Sequence, residues 1–422
     1  MTEAGRSKFQ IDLSWNVVGM AVVGISGILL NYFIARWYDT ATLGVFNQVL
    51  AVYMFLSQLA VMGIHHSTLK HVAEYAEDGK AIGGIVLSGV ALASASGVLI
   101  AGASLGCAGW VASLLESPAV GTGLWWATPG LLCFGVNKVL LGALNGRRHM
   151  RAFAICQALR FVGMLLGLAI GKALGLSAEY VPGVLSIGEG LTLVAALGAV
   201  SYDLDWPAFA AVKGWVQRHV AFGLKGFLSG LMLELNTRVD VLMLGWFATD
   251  SVVGGYSFAS MVIGGFYMLL AVIRSQYNPL LVEMLAQGEL DKLSALVKRG
   301  KKNTYIAIIA IGAISVGVYA FGIPLILADP ILHESWIVYA ILVAGIAAAA
   351  GYLPFNQILL QGGLPGWHTV MMFGIVAFNV VANAVLIRWF GAPGAAVGTA
   401  LAIGFSVLVL RRMAHRLLGA QL

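Results

Sequence analysis

The sequence predicts an all-α integral membrane protein with twelve transmembrane helices in two six-helix lobes around a central cavity. Three observations carry that prediction: an extreme apolar composition, a series of membrane-length apolar stretches, and motifs that recur at a constant offset. Of 422 residues 59% are hydrophobic and only 10% charged, whereas soluble domains are roughly 45 to 50% apolar. That balance excludes a soluble enzyme or binding module.

Lipid offers no partner to an exposed peptide group, so a spanning segment needs about 20 consecutive apolar residues closed into a helix. Twelve stretches qualify: 15–35, 44–64, 82–106, 120–144, 152–174, 181–201, 221–245, 252–273, 305–327, 336–360, 367–387 and 393–410. Residues 1–14 form a short polar cytoplasmic segment. The first stretch is longer than a signal-peptide core and lacks a small-residue cleavage pattern, so it reads as a retained helix. Residues 15–201 make the N-lobe, 202–220 a linker, 221–411 the C-lobe and 412–422 a cytoplasmic tail.

Lys and Arg set the orientation. With the N-terminus inside, eighteen fall in inner segments and three, Arg36, Lys172 and Arg388, in outer loops. Both termini are therefore expected in the cytoplasm. The net charge of +6 reports topology and calls for no nucleic acid. Cys107, Cys133 and Cys156 lie in or beside apolar stretches without metal-like spacing, so neither a disulfide framework nor a metal or cofactor site is expected.

Two pairs of segments suggest a repeat. ARWYDTATLGVF aligns with GWFATDSVVGGY at an offset of 210, and ALNGRRHMRAF with LLQGGLPGWHT at an offset of 216. An even number of helices per repeat leaves both lobes facing the same way, with the binding cavity between them. In the linker, Trp206, Phe209, Val212, Trp215 and Val216 recur at helical spacing, the pattern of an amphipathic helix on the inner membrane face. Gly163, Gly167, Gly171 and Gly175, and again Gly226 and Gly230, stand four apart, which lets helices pack closely in lipid. Pro129 and Pro354 fall inside stretches and should kink them.

The segment LELNTRVDVLMLGW places Glu234, Asn236, Arg238 and Asp240 inside an apolar stretch. Lys138, Arg160, Glu189 and Lys225 also stand at membrane depth or near its inner edge. Buried ionisable groups are costly and mark a cavity or a partner. Glu234 and Arg238 are spaced i, i+4 and can neutralise each other, so a local ion pair and a site role both stay open. Asp240 reads either as a site residue or as a helix-end group reaching outer headgroups. His65, His66 and His71 cluster after the second stretch among charges of both signs, which suits a wet amphipathic helix better than a metal site. The loop NPLLVEMLAQGELDKLSALVKRGKK ends in a basic cluster suited to anionic lipid headgroups.

The segments ARWYDTATLGVFNQ, LLGALNGRRHMRAFAICQALR and LNTRVDVLMLGWFATDSVVGGYSFA resemble the polysaccharide and oligosaccharide (O-antigen type) flippases of the multidrug/oligosaccharidyl-lipid/polysaccharide (MOP) exporter superfamily. The resemblance implies a MATE-like bundle in the bacterial inner membrane that passes polyprenyl-diphosphate-linked oligosaccharide to the outer leaflet by alternating access, beside a polysaccharide polymerase and without enzymatic chemistry. The family's R-x-D falls on Arg238 and Asp240, and its Ala-Arg on Ala35 and Arg36. The chain departs from the family at Leu364, Pro365 and Gly366, where basic residues are often seen. A diphosphate needs cationic partners, and Arg offers a planar fork for phosphate oxygens. The candidates to meet it are Arg36, Lys138, Arg160, Lys225, Arg238 and Arg274, with Glu234, Asn236 and Asp240 as ion-coupling or ion-pair residues. Lys138 and Arg160 are assigned to the inner entrance, Arg238 deeper, and Arg36 to the outer exit. A multidrug or cation antiporter of the same superfamily is the alternative. An embedded polymerase or ligase fits less well, because every outer loop is short and carries no paired carboxylates.

Overall fold

A computed structural model describes the backbone of residues 3–201 and 209–422; the side chains of 1–13, 16, 17, 202–211, 225, 226 and 229 lie outside the described residues. Among the described residues the chain is helical, with no strand. It divides into two compact units, Met1–Glu234 and Leu235–Leu422.

Unit 1 holds α1 (Glu3–Trp37), α2 (Thr40–Val61), α3 (Ile64–Glu74), α4 (Gly79–Leu114), α5 (Pro118–Gly146), α6 (Met150–Ala173), a 3₁₀ turn at Ala178–Gly183, α7 (Val184–Ser201) and the first part of α8 (Phe209–Phe247). The helix starts follow local chemistry. Asp39 caps α2 by accepting from the Thr42 N–H at 2.7 Å, and Asp78 caps α4 from the Ala81 N–H at 3.0 Å. The turn from α2 to α3 runs through Gly63 at φ 74°, where a Cβ would lie 2.7 Å from the Gly223 carbonyl of α8. Only glycine meets both conditions.

Pro129 lies inside α5, and the break in the helix ladder is repaired by α7. The Ser186 hydroxyl donates to the Trp126 carbonyl at 2.7 Å and accepts from the Gly130 N–H at 2.9 Å, standing in for one i→i−4 bond. The glycine stripe on α6 is a packing surface. A Cβ at Gly163 would lie 2.6 Å from Leu191, one at Gly167 2.8 Å from Ile187, and one at Gly188 of α7 2.6 Å from the Arg160 carbonyl. On α8, Gly230 has open space around it, and Gly226 is outside the described residues.

From Phe209 the described part of the linker runs without a break into the seventh stretch as one helix. Its Trp215 and His219 are buried against the rest of unit 1. His219 Nδ1 lies 3.0 Å from Ser67 Oγ and its Nε2 2.9 Å from the Ile85 carbonyl, while Trp215 meets the rings of His71 and Tyr75 edge-on. The apolar stripe here covers α3 and α4. Trp206 and the Phe209 side chain lie outside the described residues.

Unit 2 contains the rest of α8, then α9 (Asp250–Gln287), α10 (Leu290–Ile326), α11 (Pro330–Glu334), α12 (Trp336–Ala349), a 3₁₀ turn at Leu353–Phe355, α13 (Ile358–Gln361) and α14 (Pro365–Leu418). Ten helices among the described residues are long and apolar enough to cross a membrane, against the twelve stretches expected. Two local features account for the difference. α8 carries Glu234, Arg238 and Asp240 within one membrane length, and α14 merges stretches eleven and twelve across a kink at Gly391, φ 57° and ψ −133°. Pro354 does not kink a continuous helix as expected. The tenth stretch ends at Ala349, and the chain passes through the 3₁₀ turn that contains Pro354, since proline cannot supply the missing N–H.

Candidate functional site

In unit 1, α2, α5, α6 and α7 bring a polar group into an apolar interior. The close contact of α6 with α7 sets Arg160 Nε 2.9 Å from Glu189 Oε1. Arg160 is 7% exposed and Glu189 1%. Asn137 of α5 donates to Glu189 Oε2 at 2.7 Å and to its carbonyl at 2.9 Å. The Phe134 ring carries two cations, the Arg160 guanidinium at 5.5 Å and Lys138 Nζ at 5.4 Å, and the Tyr53 ring meets it edge-on. Lys138 is half-buried, and among the described residues no carboxylate lies within 4 Å of its ammonium; Glu189 and Glu234 act on it from further away. Three buried polar atoms here, Tyr53 Oη, Asn137 Oδ1 and Arg160 Nη2, have neither a hydrogen-bond nor an ion-pair partner among the described residues.

At the start of α3 the His65 and His66 rings lie 3.9 Å apart. Burial, joined by the charges of His66 and Lys138, pushes His65 down to about 3, and burial also lowers His66. Both rings are held neutral at ordinary pH. His71, by contrast with a wet-helix reading, is buried with Nδ1 2.8 Å from the Ser67 carbonyl.

Unit 2 contains a second polar group. Asp240 is buried, accepts a short hydrogen bond from Tyr256 Oη and another from the Val241 N–H at 3.0 Å, and lies 3.5 Å from Thr399 Oγ1. It does not reach outward to headgroups. Nearby on α14, Asn383 donates to Asn379 Oδ1 at 2.8 Å, and its own Oδ1 would stand 2.9 Å from a Cβ at Gly398. Arg274 donates to Asn356 Oδ1 at 3.4 Å, beside the break in the tenth stretch.

The sequence candidates thus fall into separate places. Lys138 and Arg160 stand together. Arg36 is exposed at the end of α1; Glu234, Asn236 and Arg238 are half-buried along α8. The Lys225 side chain lies outside the described residues. Arg160 is sealed by the Glu189 carboxylate. Sequence reading missed Tyr53, Asn137, Tyr256, Asn379, Asn383 and Thr399 as members of these groups. Uncharged polar residues recur throughout the stretches, and only the fold selects those that converge.

A family model described as "Polysaccharide biosynthesis protein" matches residues 12–285. The chain belongs to this family. The polysaccharide biosynthesis protein is 22% identical over 284 residues to a probable flippase, AglR, of Haloferax volcanii, a match that covers 65% of this chain and 58% of that relative. Its fold resembles the inward closed conformation of the lipid II flippase MurJ, with a TM-score of 0.75 and 12% identity over 94% of this chain and 87% of that one. It equally resembles an inward-facing multidrug resistance MATE family transporter of the MOP superfamily, with a TM-score of 0.74 and 13% identity over 93% and 96%. The family match agrees with the polysaccharide-flippase resemblance read from the sequence without specifying an O-antigen type, and the all-helical fold is the one these MurJ and MATE structures share.

Proposed function

We propose that this membrane protein is a flippase that moves polyprenyl-diphosphate-linked oligosaccharide from the cytoplasmic to the outer leaflet of a plasma membrane by alternating access, without catalysis. The observation that carries this reading is Lys138: a half-buried ammonium over the Phe134 ring, with no carboxylate within 4 Å among the described residues. An ammonium kept in an apolar shell is costly, and a passing phosphate compensates that cost. The match to a polysaccharide biosynthesis family and the likeness to a probable flippase support a flippase reading.

In this account both termini face the cytoplasm, Arg238 contacts the headgroup deeper in the route, and Arg36 meets it at the outer exit. A polysaccharide polymerase of O-antigen or related assembly would receive the product. Outward movement of about two negative charges from an inside-negative cell gains on the order of 5 kcal/mol per 100 mV, so the potential can drive the cycle.

A cation antiporter is the second reading, favoured by the likeness to a multidrug transporter and by the buried Asp240. Proteoliposomes separate the two. With a labelled polyprenyl-diphosphate oligosaccharide on one face, the flippase reading expects protein-dependent appearance on the other face and no extrusion of a cationic dye. Dye extrusion driven by a proton or sodium gradient, with the lipid stationary, would establish the antiporter instead.

A further inference from the structure

Unit 2 gathers three cations, Lys301, Arg411 and Arg412, around Tyr352 and the end of α14. Lys301 of α10 donates to Tyr352 Oη at 3.1 Å and stands 4.3 Å from that ring's centroid, and the Arg411 guanidinium of α14 lies 5.6 Å from the same centroid. Two cations drawn to one ring are held by its quadrupole, which leaves their charge undischarged. Among the described residues no carboxylate lies within 4 Å of Lys301, Arg411 or Arg412.

Beside Arg411 lies an open cavity of about 440 Å³, whose lining includes Leu408, Arg411, Arg412, His415 and Leu422. That size falls within the range of small-ligand sites, and the lining joins two guanidinium forks to leucine side chains. Arginine forks match phosphate oxygens. The leucines match the start of an acyl chain. These cations belong to the inner-facing set under the positive-inside rule.

We propose that this cavity seats an anionic phospholipid of the inner leaflet. Arg411 and Arg412 hold its phosphate, Lys301 adds positive potential through the shared Tyr352 ring, and Leu408 and Leu422 meet the acyl end of the glycerol. The site shares no residue with the Lys138 group, and it places a resident lipid at the inner end of α10 and α14. The inference uses the inner-face orientation of the flippase reading but not its transport activity.

The test is lipid binding to the full-length protein in neutral nanodiscs, without any saccharide carrier, using labelled phosphatidylglycerol. Phosphatidylcholine, inorganic phosphate and polyprenyl diphosphate serve as competitors. Phosphatidylglycerol should bind in preference to phosphatidylcholine, with affinity falling as salt rises. Each lost cation should weaken binding about 5-fold, so that R411Q/R412Q weakens it about 25-fold and K301Q about 5-fold. Lys292, already paired with Glu289, is the control, and K292Q should bind as wild type does. Equal binding of the two phospholipids overturns the proposal, as does an R411Q/R412Q variant that keeps wild-type affinity. Displacement by inorganic phosphate or polyprenyl diphosphate at the lipid's own concentration would assign the site to a free anion or to the carrier, and would also overturn it. If the double variant fails to fold, K301Q and the salt dependence of the wild type decide. Failure here leaves the transport assay untouched, and failed transport leaves this binding measurement valid.

Discussion

Replacing Glu189 with alanine strands the Arg160 guanidinium in the interior of unit 1. The carboxylate it loses lies 2.9 Å away, and the arginine is only 7% exposed, so water cannot readily replace it. Breaking a buried pair from one side costs about 3 to 5 kcal/mol. Asn137 also loses its 2.7 Å bond to the carboxylate while keeping the one to the backbone carbonyl, at about 1 kcal/mol. The expected loss is therefore about 4 to 6 kcal/mol. Replacing both partners by apolar residues of similar volume, Arg160→Met with Glu189→Leu, should recover most of that loss. The assay is reversible denaturation in detergent, followed by tryptophan fluorescence. A Glu189→Ala protein within about 0.5 kcal/mol of wild type, which is the ordinary spread of surface substitutions, would refute the reasoning. So would a double variant no more stable than the single one. The same double variant then divides two roles for Arg160: retained flux makes the pair structural, and lost flux puts the guanidinium on the substrate route.

Charge reversal at Arg238, written Arg238→Glu, should abolish flux in proteoliposomes while the protein still elutes as a folded species; normal flux would remove this residue from the site. His65 gives a pH prediction. Its pKa falls from 6.5 to about 3 on folding, so the unfolded chain takes up a proton that the folded one refuses as pH drops from about 6.5 toward 3. Stability should decline across that window, and His65→Gln should flatten the decline; thermal midpoints at pH 7, 5 and 4 that change equally in both proteins would contradict it. Ser186→Ala should cost about 1 to 3 kcal/mol, because it leaves the Gly130 N–H and Trp126 carbonyl without the hydroxyl that joins them. Cys substituted at this position, too long to replace the hydroxyl geometry, should not restore the midpoint.

The membrane class and the positions of most helices were legible because hydropathy reports the demand that lipid places on every backbone amide. The close packing of Gly163 and Gly167 against α7 was legible for a similar reason, since small residues at this spacing have few uses other than contact. Three features were not. The tenth stretch stays apolar past Ala349, so composition gave no sign that Gly351 would lie against the Tyr305 ring with no room for a Cβ, or that Pro354 would sit in a turn. Trp215 and His219 have a pattern equally suited to a lipid surface and to a protein neighbour, and their partners, His71 and Tyr75 for the one and Ser67 and Ile85 for the other, lie far away in sequence. The Arg160–Glu189 pair spans 29 positions and two helices; each charge could be named from the sequence, but their mutual neutralisation is a property of the packing.

The central claim is that cations within the apolar shell carry a diphosphate headgroup, and headgroup charge is its most direct test. Two carriers with the same polyprenyl chain and the same saccharide, one joined through a diphosphate and one through an uncharged linkage, are compared in identical proteoliposomes with wild type and Lys138→Gln. The account predicts that wild type moves the diphosphate carrier much faster than the neutral one and that Lys138→Gln removes most of that preference. Equal rates for the two carriers, or a preference unchanged in the Lys138→Gln protein, would contradict it.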